Sequence, residues 1–169
     1  MSLSPIVTHA LASGVILSVI LFAMILVLVK VNPEIMLRDY PPDIQAKFGP
    51  MSDRSRRLRI PIGILVIAVL LGAVGVSLAP VLAGLDGQPM FLTVFVHLLV
   101  MFTVFNVLDL LIMDWLIVVT LRPRFLVLPG TEGMPGYGDY AFHFRGFLIG
   151  TPITLVASIL LAGLVSVLF

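Results

Sequence analysis

The stretch MFLTVFVHLLVMFTVFNVLDLLIMDWLIVVTL, Met90–Leu121, decides the fold. It contains no glycine, proline or basic residue to interrupt a helix, and it is far too long and too apolar to be a strand. At 1.5 Å per residue its helix would measure about 45–50 Å, against a hydrocarbon core of about 30 Å. Such a helix crosses a bilayer and must tilt, bend or emerge at one end.

Three more apolar runs of spanning length flank it, at 6–29, 60–82 and 144–169. Of 169 residues, 60% are hydrophobic and 11% charged, with a mean hydropathy of +1.18. An ordinary globular domain carries about 25% charged residues to coat its surface. The expected architecture is therefore all-α: one multi-pass, four-helix transmembrane bundle over 1–169, with no separate soluble domain. No basic segment precedes the first run, so a retained span rather than a cleaved leader is expected. Pro61 suits the first turn of the second span. Ala83-Gly-Leu-Asp86-Gly-Gln-Pro89 reads as a short polar turn. The chain has no cysteine, which excludes disulfides, thiolate metal sites, iron–sulfur clusters and thiol catalysis.

Basic residues accumulate in loops kept on the cytoplasmic side. Lys30, Arg38, Lys47, Arg54, Arg56, Arg57 and Arg59 lie in the loop over 30–59, here loop one. Arg122, Arg124 and Arg145 lie in or beside the loop over 122–143, here loop three, and neither terminus nor the turn around Asp86 carries any. Both termini are expected outside and both loops in the cytoplasm, in the plasma (inner) membrane of a prokaryote. Ser52 is the expected N-cap of a short interfacial helix over 53–59. That helix would hold Arg54, Arg56, Arg57 and Arg59 against anionic lipid headgroups, at about 1 kcal/mol per basic residue near the surface. The bilayer is the first expected partner, and nothing in the pattern points to nucleic acid.

Lipid provides no hydrophobic drive between helices, so close packing rests on small residues. Ala10, Gly14 and Ser18 stripe the first span, Ala68 and Gly72 the second, and Gly146, Gly150, Ser158, Ala162 and Ser166 the fourth. These stripes serve packing within one bundle, or contact with a second copy or a membrane partner subunit.

Ionisable groups inside a span cost a few kcal/mol and default to a functional hypothesis. Only the third span holds acids, Asp109 and Asp114. At about 100° per residue, Asn106, Thr103, Asp109, Asp114 and Thr120 fall on one broad face and His97 on the other. Loop three is rich in glycine and proline, yet apolar and aromatic, so it is expected to fold back over the cytoplasmic mouth as a cap. It brings Glu132, Asp139 and His143, the last two four residues apart.

Asp109, Asp114, Asp139 and His143 are thus the candidate catalytic groups, with Arg122, Arg124, Arg145, Asn106 and Glu132 as candidates for holding a ligand or headgroup. The same four acid and imidazole groups could hold a divalent cation, or move protons while arginines hold an anionic substrate. They also suffice for a salt-bridged cap that closes the bundle. No His-Glu-x-x-His or Walker pattern is present, and His9 with His97 makes a poor haem site. The expected function is an accessory or ligand-binding membrane protein with a polar site at the cytoplasmic mouth. The alternatives are a membrane-embedded metal-dependent or acid/base enzyme on a lipid or polyprenyl headgroup, and a proton-coupled transporter subunit using Asp109.

Overall fold

The computed structural model describes residues 3–85 and 90–169, so Met1, Ser2 and the segment from Asp86 to Pro89 of the expected outer turn lie outside the described residues. Among the described residues the chain is helical and free of strands. Four helices are long and apolar enough to cross a membrane. They are α1 (Leu3–Val31), α3 (Asp53–Ala83), α4 (Met90–Leu108) continued by a π-helical segment (Asp109–Leu121), and α5 (Tyr140–Leu168). A short α2 (Pro42–Phe48) and a 3-10 segment (Pro33–Asp39) occupy loop one; two 3-10 turns (Arg124–Leu126 and Pro135–Gly138) occupy loop three.

Helix α4 is the centre of the packing, with α1 on one side and α5 on the other, while α3 lies more lightly against α1 and α4. The small-residue stripe of α1 makes the first contact close. Ala10 and Ser18 are buried, and a side chain added at Gly14 would sit 2.7 Å from both the Met101 carbonyl oxygen and the Val104 Cβ. On α5, Ser158 and Ala162 are buried, and Gly150 lies against the Asn106 side chain. Leu17, Leu21, Val74, Leu78, Leu98 and Met101 fill the space between α1, α3 and α4. On α3 the expected stripe is not used: Ala68 and Gly72 are exposed, and Val74, Ser77, Leu78 and Val81 pack inward instead. His97 is fully buried on the other side of α4, its Nε2 2.5 Å from Ser77 Oγ and its ring stacked on His9 at 5.3 Å. Stacked rings do not aim their nitrogens at a common iron.

Two expected boundaries move. The interfacial helix over 53–59 and the second span form one helix, α3, capped by Ser52 and running through Pro61. Proline at an interior position removes the bond to the carbonyl four residues back and crowds that carbonyl with its ring. That carbonyl belongs to Arg57, and both residues are exposed beside the polar end of the helix, where water can serve it. The fourth span starts earlier than 144, because Asp139 caps it: its Oδ1 accepts from the Phe142 N–H at 2.9 Å.

Loops one and three pack into one cap. Leu37, Tyr40, Ile44, Leu128 and Tyr137 form a second apolar core. Buried polar atoms inside it are paired. Tyr40 Oη donates to the Leu126 carbonyl at 2.7 Å, and Tyr137 Oη accepts from the Leu128 N–H at 2.9 Å while sharing a 2.7 Å bond with Thr131 Oγ1. Asp43 accepts from the Gly136 N–H at 3.0 Å, and its carboxylate takes the space a side chain at 136 would need.

Two stability outcomes follow from this packing. Gly14→Ala should destabilise the protein by about 1–3 kcal/mol, because α1 must move away from α4, whereas Gly72→Ala meets nothing within 4 Å and should change little. Tyr137→Phe should cost about 1–3 kcal/mol by leaving the buried Leu128 N–H without its acceptor. Unfolding in detergent, followed by circular dichroism, measures all three.

Candidate functional site

The third long helix changes its winding partway along its length. From Asp109 onward its backbone bonds join residues five apart, the last from the Arg122 N–H to the Ile117 carbonyl at 2.9 Å, and the Thr120 side chain adds a bond from Oγ1 to the Trp115 carbonyl at 2.7 Å. In an α-helix residues five apart diverge by about 140°. The wider π winding brings them toward one face, so Asp109 and Asp114 both border the same space. This revises the face expected from regular α geometry. Asn106, Asp109 and Asp114 line that space together, while Thr103 is exposed and Thr120 bonds Tyr140 Oη at 2.8 Å instead.

That space is a cavity of about 790 Å³ between α1, the lower half of the third span and α5, roofed by both loops. It lies within the range of about 300–1,000 Å³ usual for small-molecule sites. Ile25, Leu26, Val29, Leu110, Phe147 and Ile149 give it apolar walls. At the roofed end stand Asp39, Asp109, Asp114, Asp139 and His143, with Arg38 and Arg145. Because α1 and α5 flank α4 without packing substantially on each other, the apolar part lies between the two flanking helices.

One imidazole–carboxylate contact organises the polar end. His143 Nδ1 lies 3.0 Å from Asp114 Oδ1, with both side chains largely buried. A proton on Nδ1 is required for this contact, and Nε2 then has no hydrogen-bond partner among the described residues. Asp109 makes no hydrogen bond or ion pair with any described residue, although it borders the same cavity. Asn106 is held against α5 by donating to the Phe147 carbonyl and Thr151 Oγ1, both at 3.3 Å.

The other expected residues divide. Asp139 borders the cavity, but its carboxylate is engaged as the cap of α5. Arg145 joins the site. Arg122 does not. Its guanidinium donates to the carbonyls of Val119 and Tyr137 at 3.0 and 2.9 Å and lies over the Tyr137 ring, tying the end of the third span to the cap. Arg124 is exposed away from the cavity, and Glu132 accepts from its neighbour Gly130 N–H in an exposed turn. Asp109, Asp114, Asp139 and His143 do not gather as metal ligands: among the described residues no three His, Asp or Glu side chains stand close enough to hold an ion.

Asp39 and Arg38 are the site residues that charge counting missed, since loop one reads as a basic surface segment. The available signal was an Arg-Asp pair set in Ile35-Met-Leu-Arg38-Asp39-Tyr40-Pro41-Pro42, where every other residue is apolar or aromatic. Asp39 borders the cavity with part of its surface exposed, while the protein packed around its carboxyl limits its hydration. That burial pushes its carboxyl above the ordinary range, Asp114 adds to the rise, and the Arg59 guanidinium opposes it. Tyr40 beside it is raised as well, by burial first and then by the nearby Tyr137 and Asp39.

Comparison with known protein families, characterised proteins and solved structures finds no match to this chain.

The raised Asp39 carboxyl has a pH signature. The folded protein holds this proton more tightly than the unfolded chain, so the group's contribution to stability is full below its ordinary value of 3.8 and is lost as pH rises through the higher folded value. Asp39→Asn should remove that loss, making the variant gain stability relative to the wild type between acid and neutral pH. Thermal midpoints in detergent across that window test it, and a constant difference would contradict the assigned environment.

Proposed function

We propose that this chain is an integral membrane protein that binds an amphipathic, lipid-like ligand at its cytoplasmic mouth, with the ligand's apolar chain between α1 and α5 and its head under the two-loop cap. The observation that carries this reading is the single cavity in which apolar helix walls run into a cluster of acids around the Asp114–His143 pair. Four carboxylates against two arginines and one imidazole make the roofed end rich in acceptors. A head bearing hydroxyl or amine donors suits it better than an anionic one.

In this reading the four long helices form a transmembrane bundle in the plasma (inner) membrane of a prokaryote. Both termini lie outside and both loops in the cytoplasm, in keeping with where all ten basic residues fall. A second reading draws on the same pair: an imidazole oriented through Nδ1 by a carboxylate is how a general acid or base is commonly held. On that view His143 would move a proton at the ligand's head, with Asp109 as the second acid.

The test is lipid mass spectrometry of the purified protein together with two variants. Gly146 borders the cavity and has nothing within 4 Å of where a side chain would begin, so Gly146→Phe should fill the space without disturbing helix contacts. The co-purifying ligand should fall by about tenfold or more in Gly146→Phe, with helix content and melting unchanged. Asp114→Asn should lower retention by a similar factor, because it removes the charge on the His143 partner. Equal retention in wild type and both variants would overturn the proposal. Turnover of the retained lipid that disappears in His143→Gln while binding persists would favour the acid/base reading.

A further inference from the structure

A second, smaller cavity of about 340 Å³ lies where the end of the 3-10 segment in loop one meets the start of α3. Three arginines border it, Arg38 from loop one and Arg56 and Arg59 from one face of α3, and no acidic residue does. Arg54 and Arg57, each two residues before one of these on the same turns, do not border it. The five arginines that look equivalent in the sequence are therefore sorted into three that converge and two that do not.

The convergent charges are only partly compensated: Asp39 interacts with Arg59 through space, but forms no ion pair with it. Arg56 approaches Asp53 at 3.8 Å, with both side chains mostly in solvent, where such pairs contribute little. Arg38 and Arg59 form no ion pair with any described residue. Of the other acids of loop one, Glu34 is committed to Ser52, accepting from its N–H at 3.0 Å and from its hydroxyl, Asp43 accepts from the Gly136 N–H, and Asp39 borders the other cavity. Gln45 holds the cavity's wall in place by donating to the carbonyls of Arg38 and Tyr40. Like charges held together in a concave site raise the local potential and favour an anion there.

We infer that this cavity binds a phosphate-bearing headgroup. Guanidinium groups match phosphate oxygens in paired, bidentate hydrogen bonds, and three of them suit a tetrahedral anion better than a planar carboxylate. The volume lies near the lower end of the range for small-molecule sites, enough for a phosphate with a small polyol and too little for acyl chains. The apolar outer surface of α3 begins at once beyond the site, with Leu58, Ile60 and Ile64 all exposed. A bilayer covering that surface puts its own phosphates level with Arg56 and Arg59. This site is separate from the acid-lined cavity, though Arg38 borders both.

The test compares charge-matched variants of the full chain in phosphatidylcholine nanodiscs with and without phosphatidylglycerol. Native mass spectrometry reads bound phosphatidylglycerol, and a titration with glycerol 3-phosphate in the discs lacking it reads soluble phosphate. Arg56→Gln/Arg59→Gln should weaken binding by about tenfold or more, and Arg54→Gln/Arg57→Gln, with the same change in net charge, by less than about twofold. Retention of phosphatidylglycerol without glycerol 3-phosphate binding identifies a lipid source; saturable glycerol 3-phosphate binding identifies a soluble one. Equal loss in the two double variants, or no binding to either probe, overturns the site. Should the pocket variant fold poorly, arginine modification of the native protein decides. Phosphatidylglycerol or glycerol 3-phosphate should protect Arg38, Arg56 and Arg59 from a dicarbonyl reagent while Arg54 and Arg57 react freely, and uniform reactivity of all five would refute the inference.

Discussion

Two helices reach α4 from opposite sides, and the shape of the rest follows from how closely they can come. Hydrocarbon does not push helices together, so the contacts depend on backbone approach and interhelical hydrogen bonds. Gly14 lets α1 press on Met101 and Val104; Gly150 lets α5 receive the Asn106 amide. With its two flanks occupied in this way, α4 keeps α1 and α5 apart. The space left between them toward the cap is the cavity.

A cavity between helices of spanning length is closed by irregular backbone, and such backbone is tolerated beside hydrocarbon only when protein or water covers it. Loop three alone could not provide one. Its glycines and prolines break regular bonding, and its carbonyls and N–H groups need partners from elsewhere. Tyr137, Tyr40 and Asp43 supply several of these, two of them from loop one. The apolar residues that make loop three look unlike a linker are the half of a small core that loop one completes. Arg122, which charge alone suggested as a ligand group, belongs to this construction: it ties the π-helical segment to Tyr137.

Polar groups in the lower half of the protein separate into two electrostatic environments. One is acid-rich, enclosed by helices, and organised by Asp114 and His143. The other is arginine-rich and lies against the start of α3. Arg38 and Asp39, neighbours in the chain, mark the border, with Arg38 bordering both and Asp39 only the first. A chain with only 11% charged residues thus concentrates opposite charges in adjacent sites, and a formal net charge of +1 conceals it.

From the sequence alone come the four helices of spanning length, the cap of α3 at Ser52, and the packing stripe of α1 with the Gly150, Ser158 and Ala162 part of that on α5. Each follows from a local quantity: the run of apolar residues, a side chain three positions before an N–H, or the spacing of small residues on a helix. Tertiary structure decided which stripes were used, leaving Ala68 and Gly72 exposed. It brought Asp39 into the acid cluster and separated Arg56 and Arg59 from Arg54 and Arg57. It also wound the third span as a π-helix past Leu108, where regular α geometry had been assumed. The physical reason is common to all of these. Hydropathy and periodicity sum over neighbours in the chain, whereas the direction a polar side chain faces depends on the winding of its helix and on which surface, from a distant part of the chain, arrives to meet it.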